Sequence, residues 1–365
     1  MRPKAHSQYV LALLDVRKGY DPGTHQSPNL IDFERSPGVI RSLVRRDLDH
    51  GAGVRGGRQV PDGTSAFERL TSLRQYQASG ERAPHKPLLV LLALSQLVST
   101  GSSELSWSVV EERLGSLLRE FGPPALGGPK PSFPFTRLRS DGVWVLSEDV
   151  PNDAVGPLRE HRVTGRLSPQ VERDLLDDPS EVERIARALI AGQFPSTLAS
   201  DVLMAVGFDP GLVLAAPEDL GPGGADLALR AAKRRRSAQW RDQVIAAWDR
   251  SCAFCGFDGS IAGAPVGIEA AHVRWFNFGG PDDLDNGLAL CSLHHKLLDR
   301  GVLGLSDPET VAVSSFYAAS SDRGKQVYDL HGARLRPRPG TSIPSADHVN
   351  WHRTQVFKGI PLSAG

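Results

Sequence analysis

Two short pairs of metal-ligand type constrain this chain more than any other feature. Cys252 and Cys255 stand in CAFC, and Cys291 and His294 stand in CSLHH, so 35 residues lie between a C-x2-C pair and a C-x2-H pair. Together they use all three cysteines of the chain. Paired spacing of this kind is that of a tetrahedral structural Zn²⁺ site, where a Cys3His shell leaves no position open for chemistry. The alternative is three buried thiols that act as small apolar side chains; the pairing at both ends argues against it. An odd number of cysteines also speaks against a disulfide framework.

His295 follows His294 directly. Neighbours on a helix point about 100° apart, whereas positions three or four apart share a face. Cys291 and His294 therefore turn towards the zinc together, and His295 turns elsewhere with Asp299 one turn on. Upstream, His272 closes the apolar stretch VGIEAAHV, and Asn286 lies between in LDNGLALC. His272, Asn286 and His295 thus occur in order, wrapped around the zinc pairs.

This arrangement, over roughly residues 238–305, resembles the HNH endonucleases of the ββα-metal fold. The resemblance implies hydrolysis of phosphodiesters, which needs a base for the water and a cation for the charge that develops on the phosphate. His272 would be the base, because an imidazole titrates near neutral pH. His295 would ligate a divalent cation, Mg²⁺ or Mn²⁺, with Asp299 as a second ligand. Asn286 would tie the loop to the strand and orient His272. Many HNH enzymes carry a further ligand just before the catalytic histidine; here that position is Ala271. Glu269 is expected on the opposite face of the strand from His272.

A nuclease usually needs a way to find its target, and net charge offers none here. The 365 residues hold 42 Lys+Arg against 42 Asp+Glu, which removes the simplest argument for a nucleic-acid partner. From Lys233 to Arg300 nine basic residues face eight acidic ones. DNA affinity would therefore rest on where charges are placed. The run Lys233–Arg236 is the local candidate, or else a solvated helix face.

The length suits two domains. Residues 1–65 read as an N-terminal extension and linker that need not be ordered, since GAGVRGGRQVPDGTS is Gly-rich and polar. Residues 66–206 form a first domain. AFERLTSLRQYQ and WSVVEERLGSLLREF (107–121) carry helical apolar spacing, and Leu88–Leu94 is a buried core helix behind Pro87. FPFTRLRSDGVWVL (133–146) reads as a β-hairpin, and further helices follow at 168–176 and 180–192. A Pro/Gly-rich linker spans 207–226. The second domain, 227–365, opens with a helix to about Arg250 and ends with one in SIPSADHVNWHRTQVF. The fold class is α+β in two domains: a helix-rich DNA-reading domain, then a zinc-stapled ββα-metal nuclease domain.

YQASGERAPHKPLLVLLAL (76–94) and PSFPFTRLRSDGVW (131–144) resemble the sulfur-binding domain of phosphorothioate-dependent, type IV restriction endonucleases, which fuse that domain to an HNH module. The order of the domains agrees. A phosphorothioate sulfur is large, soft and a poor hydrogen-bond acceptor, so an apolar cup holds it at little cost. An oxygen there would lose its water without compensation, about 1–3 kcal/mol. The resemblance places Phe133 and Pro134 in that cup, where the family usually has Tyr first. It also puts Arg137 where a small residue is usual. Arg82, His85, Lys86 and Arg159 would surround the phosphate.

The implied partner is double-stranded, phosphorothioate-modified DNA. Two alternatives stay open: an HNH endonuclease that reads methylated or unmodified DNA, and a non-catalytic zinc-stapled DNA-binding protein. Cutting both strands often takes two nuclease modules, which makes a homodimer an expectation. The longest purely apolar run, Leu88–Leu94, falls short of the ~18 residues of a membrane span. A cytoplasmic protein with reduced thiols is expected.

Overall fold

The structure, a computed structural model, describes residues 64–74, 80–125, 127–215 and 238–363. Most of the N-terminal extension, the linker beyond Ala215 and the basic run Lys233–Arg236 lie outside them.

The seven apolar residues from Leu88 to Leu94 leave a helix no polar face, so it must be enclosed. The His85–Thr100 helix is buried along almost all of that stretch. Pro87 lies in its first turn, where a missing N–H is harmless, and Gly101 ends it with φ 78°. The helices Trp107–Phe121, Ser180–Gln193 and Ser196–Val206 pack around it. Ser65 opens the first described helix, Ala66–Thr71, with a capping box closed by Glu68. Beside this bundle sits a small antiparallel sheet with Thr164–Leu167 between Leu105–Ser106 and Trp144–Leu146. A Cβ on Gly165 would come within 2.6 Å of the Trp144 indole, so the strand needs glycine there.

The expected hairpin over 133–146 is half helix. Ser132–Arg137 is helical, Leu138–Asp141 continues as a 3-10 turn, and only Trp144–Leu146 is strand. Phe135 and Leu138 are both fully buried. Three residues apart, they reach one core from one helix face, and alternation would have separated them. The Ser-Asp-Gly segment ends that helical stretch at Gly142, φ 72°, and the strand pairs with Thr164–Leu167 instead.

The second half is built on two antiparallel strands, Ile268–His272 and Gly287–Cys291, followed at once by the Ser292–Asp299 helix. The strands pair from Ile268↔Cys291 to His272↔Gly287. Residues 238–247 form a helix that buries Trp240 and Val244 in the core of this half, and Trp248 follows in the turn after it. A second hairpin, Leu303–Asp307 with Thr310–Val313, carries the C-terminal Ala346–Gln355 helix against its first strand.

The two halves share a core. Trp275, Phe278, Trp351 and Val356 of the second half belong to the same buried cluster as the helices of the first. Part of the expected linker is packed too: the Pro210–Ala215 helix lies on Ser180–Gln193 and buries Val213.

Candidate active site and metal centre

The turn that follows the 238–247 helix is folded by its own backbone. Gly256 N–H donates to Cys252 O at 2.8 Å, and Cys252 N–H donates to Phe257 O at 2.8 Å. The sharp bend passes through Gly256 at φ 76°. Cys291 ends its strand and stands at the N-cap of Ser292–Asp299, so His294 falls in that helix's first turn. The ligand atoms of Cys252, Cys255, Cys291 and His294 all lie within 4.8 Å of one another. Cys252 Sγ is 3.4 Å from His294 Nδ1, close to the edge of a zinc tetrahedron, about 3.5 Å. The hydrogen bond from Cys291 holds the Cys252 thiol down at about 3. Three soft thiols and one imidazole, closed on themselves, fit a structural zinc ion.

His272 is the last residue of its strand, and its ring stacks on Trp240 with centroids 3.8 Å apart. His272 Nε2 lies 2.9 Å from Asp282 Oδ1. Burial lowers the His272 pKa, and Asp282 partly offsets this. The shift favours the neutral imidazole, and the tautomer that donates from Nε2 to Asp282 leaves Nδ1 as the basic nitrogen. Asn286 is fully buried and secures the loop that carries Asp282. Its Oδ1 accepts from Arg274 N–H at 2.8 Å, and its Nδ2 donates to Arg274 O and Pro281 O, each at 3.0 Å. The loop passes so close that a Cβ on Gly280 would meet Arg274 O at 1.8 Å.

His295 faces away from His294. Its Nδ1 lies 2.7 Å from Glu269 Oε2, and its Nε2 lies 3.4 Å from Asp299 Oδ2. Burial would lower the His295 pKa, but Asp299 and Glu269 together raise it. His295, followed by Ser292, holds the Glu269 carboxyl at about 2. Ala271 is fully buried and offers no ligand. Asp299 is only 3% exposed; it accepts from Trp275 Nε1 at 2.9 Å and from the Thr197 hydroxyl. Burial raises its pKa, opposed by His295. One imidazole and one carboxylate at this spacing fit two ligands of one divalent cation, whose bonds of about 2.0–2.2 Å set ligands roughly 3.0–3.5 Å apart.

His272, His295 and Asp299 line one cavity of about 430 Å³. Its opposite wall belongs to the first half, with Ile190, Phe194 and Thr197. Trp240, Asp282 and Thr197 were not singled out by the sequence. Asp282 had a signal in its closeness to Asn286; Thr197 had none.

The residues expected at a sulfur pocket are scattered. Arg82 is turned into the interior and is 5% exposed. Its guanidinium donates to Phe121 O at 2.7 Å and Gln355 O at 2.9 Å, and lies 4.1 Å from the Trp275 ring centroid. Burial brings its pKa down to about 9. His85, beside it, is lowered by burial and by Arg82. Lys86 is engaged with Asp141 and with Arg74 O. Phe133, Pro134 and Arg137 do share one short helix. Phe133 is half-buried, with the cations of Lys130 and Arg137 at 5.1 Å and 4.5 Å from its ring. Pro134 is buried. Arg137 pairs with Asp153, and Arg159 pairs with Glu111.

A ββα unit with a Cys3His cluster on one side of its helix and a His–carboxylate site on the other defines a nuclease module. The rest of the described chain is a helix-rich module in front of it. Residues 252–306 match the family model of the HNH endonucleases, and residues 64–210 match that of the ScoMcrA-like DNA sulfur-binding domain. The chain thus joins a DNA sulfur-binding domain to an HNH endonuclease domain. Among solved structures, the sulfur-binding domain of SprMcrA complexed with phosphorothioated DNA is 21% identical. That likeness covers 40% of this chain and 97% of the other at a TM-score of 0.34. The type IV phosphorothioation-dependent restriction endonuclease ScoMcrA is 21% identical over 42% of this chain and 34% of its own, TM-score 0.35. The modification-dependent restriction endonuclease TagI is 26% identical over 33% and 38%, TM-score 0.27. No curated protein matches the chain. No helix among the described residues is long and apolar enough to cross a membrane.

Proposed function

We propose that this chain is a restriction endonuclease that recognises phosphorothioate-modified double-stranded DNA and hydrolyses phosphodiester bonds nearby. The observation that carries the reading is the pairing of His272–Asp282 and His295–Asp299 across one cavity, on the far side of the helix from the Cys3His cluster. Zinc at Cys252, Cys255, Cys291 and His294 staples the module.

His272 Nδ1 takes the proton of the attacking water. Asp282 on Nε2 fixes the tautomer and stabilises the imidazolium that forms. Trp240 fixes the plane of the ring by stacking on it. Asn286 keeps the Asp282 loop in register with the strand. Mg²⁺ or Mn²⁺ held by His295 and Asp299 would neutralise charge on the phosphate and the leaving oxygen. In the reading module, Phe133 and Pro134 offer the apolar contact for sulfur, and Lys130 and Arg137 lie beside Phe133 to meet the phosphate. The protein works in the cytoplasm, and two copies would supply the two cuts of a duplex.

The test is digestion of matched duplexes with and without a phosphorothioate, in Mn²⁺ or Mg²⁺. Cleavage confined to the modified duplex is expected. Equal cleavage of both would overturn the sulfur reading and leave an HNH endonuclease of another specificity.

A further inference from the structure

Asp299 belongs to the HNH module, yet one of its hydrogen-bond donors does not. Thr197 is the second residue of the Ser196–Val206 helix and lies within the sulfur-binding module. Its hydroxyl donates to Asp299 Oδ2, the same oxygen that faces His295 Nε2. The other oxygen, Oδ1, accepts from Trp275 Nε1. The Trp275 ring is covered in turn by the Arg82 guanidinium of the first module. The reading module therefore holds this carboxylate from two sides, once directly and once through an indole.

The contact is not isolated. Asp201, one turn further along the Thr197 helix, accepts from Lys296 Nζ at 2.9 Å and from Arg300 at 3.1 Å. Both donors flank Asp299 in sequence. Asn277 Nδ2 donates to Ala191 O at 2.6 Å. The bonds of Thr197 and Asp201 dock the Ser196–Val206 helix alongside Ser292–Asp299, and that of Asn277 ties the second module to the Ser180–Gln193 helix. Thr197 also lines the shared cavity, with His295 and Asp299.

A carboxylate with two lone pairs on each oxygen can swing between ligating geometries. A donor fixed to Oδ2 leaves the remaining lone pair of that oxygen aimed at the cation site. We propose that Thr197 is a positioning residue of the nuclease centre, supplied by the sulfur-binding module, which orients Asp299 for the divalent cation. The HNH module is then complete only while the reader is docked on it. The inference rests on the reading of His295 and Asp299 as cation ligands.

The test uses the full-length, zinc-loaded chain without DNA and follows Mn²⁺ affinity by electron paramagnetic resonance of the free ion. Thr197→Val keeps the shape and removes the hydroxyl; Thr197→Ser keeps the hydroxyl. Loss of such an outer partner typically costs about 10–100-fold in metal affinity. Thr197→Val should show a loss of that order, Thr197→Ser should stay near the parent, and both should keep the parent Tm and zinc content. Cleavage by Thr197→Val should recover as Mn²⁺ is raised. Unchanged Mn²⁺ affinity in Thr197→Val, beside a loss in His295→Ala, would overturn the proposal alone. Unchanged affinity in His295→Ala would overturn the underlying site as well.

Discussion

His294 and His295 are neighbours in the chain and serve two centres built on different plans. His294 faces three cysteines of its own module, within 4.8 Å, and the set is closed. His295 faces the opposite way, onto carboxylates, and its centre is open to a cavity walled by the other module. The closed centre needs only a strand end, a turn and the first turn of a helix. The open one draws on Glu269 from the strand, Asp299 from the next helical turn and Thr197 from another part of the chain. A staple gains from being self-sufficient, because its binding free energy is folding free energy. A centre that must act at the right place gains from depending on its reader.

That contrast can be broken most sharply at the staple. Cys255→Ala removes an exposed ligand whose loss leaves little cavity. It should release zinc, abolish cleavage and melt the second half in near-UV circular dichroism. Intact folding with zinc lost would mean that the cluster is not structural. Next in size, His272→Ala should lower cleavage by about 10²–10⁴ and leave zinc content and DNA binding unchanged. The parent's own pH profile sharpens the assignment. A base works only when unprotonated, and His272 is lowered from its ordinary value by burial. Activity should therefore fall with acid only below about pH 6.5; a limb above that would point to another base.

A smaller effect separates packing from recognition. Arg82→Met leaves the carbonyls of Phe121 and Gln355 without their donor. At about 1–3 kcal/mol for each buried group left unpaired, Tm should drop by several degrees. Discrimination between modified and plain DNA should persist below the transition. Loss of discrimination at full stability would restore Arg82 to the reading face.

The Cys3His quartet, the order His272–Asn286–His295 and most helices were legible in the sequence, because each depends on spacing along a few residues. Helical spacing put His294 and Cys291 on one side, and the two do meet, although Cys291 is the extended N-cap residue that precedes the helix. The turn of His295 away from them followed from the same rule. Alternation assigns Glu269 and His272 to opposite faces, but it could not say that the carboxylate would meet His295. That contact depends on where the Ser292–Asp299 helix lies across the strands. The hairpin expected at 133–146 failed for a related reason. A turn signal and alternating residues were present, but burial of Phe135 and Leu138 favoured a helix. The burial of Arg82 was not legible, because a cation in a polar turn looks the same whether it meets a phosphate or two carbonyls and an indole.

By itself, the sequence determined which side chains offer metal-donor atoms, since donor chemistry and the spacing of the pairs are local. Zero net charge is equally a sequence fact, and it left the cations to be judged by position. Only the tertiary structure decided how the parts are held. It put Asp282 on His272, Arg82 in the interior and Thr197 on Asp299, because these contacts join segments 10, 39 and 102 residues apart. Such contacts are selected by the packing of a shared core, which no local pattern encodes.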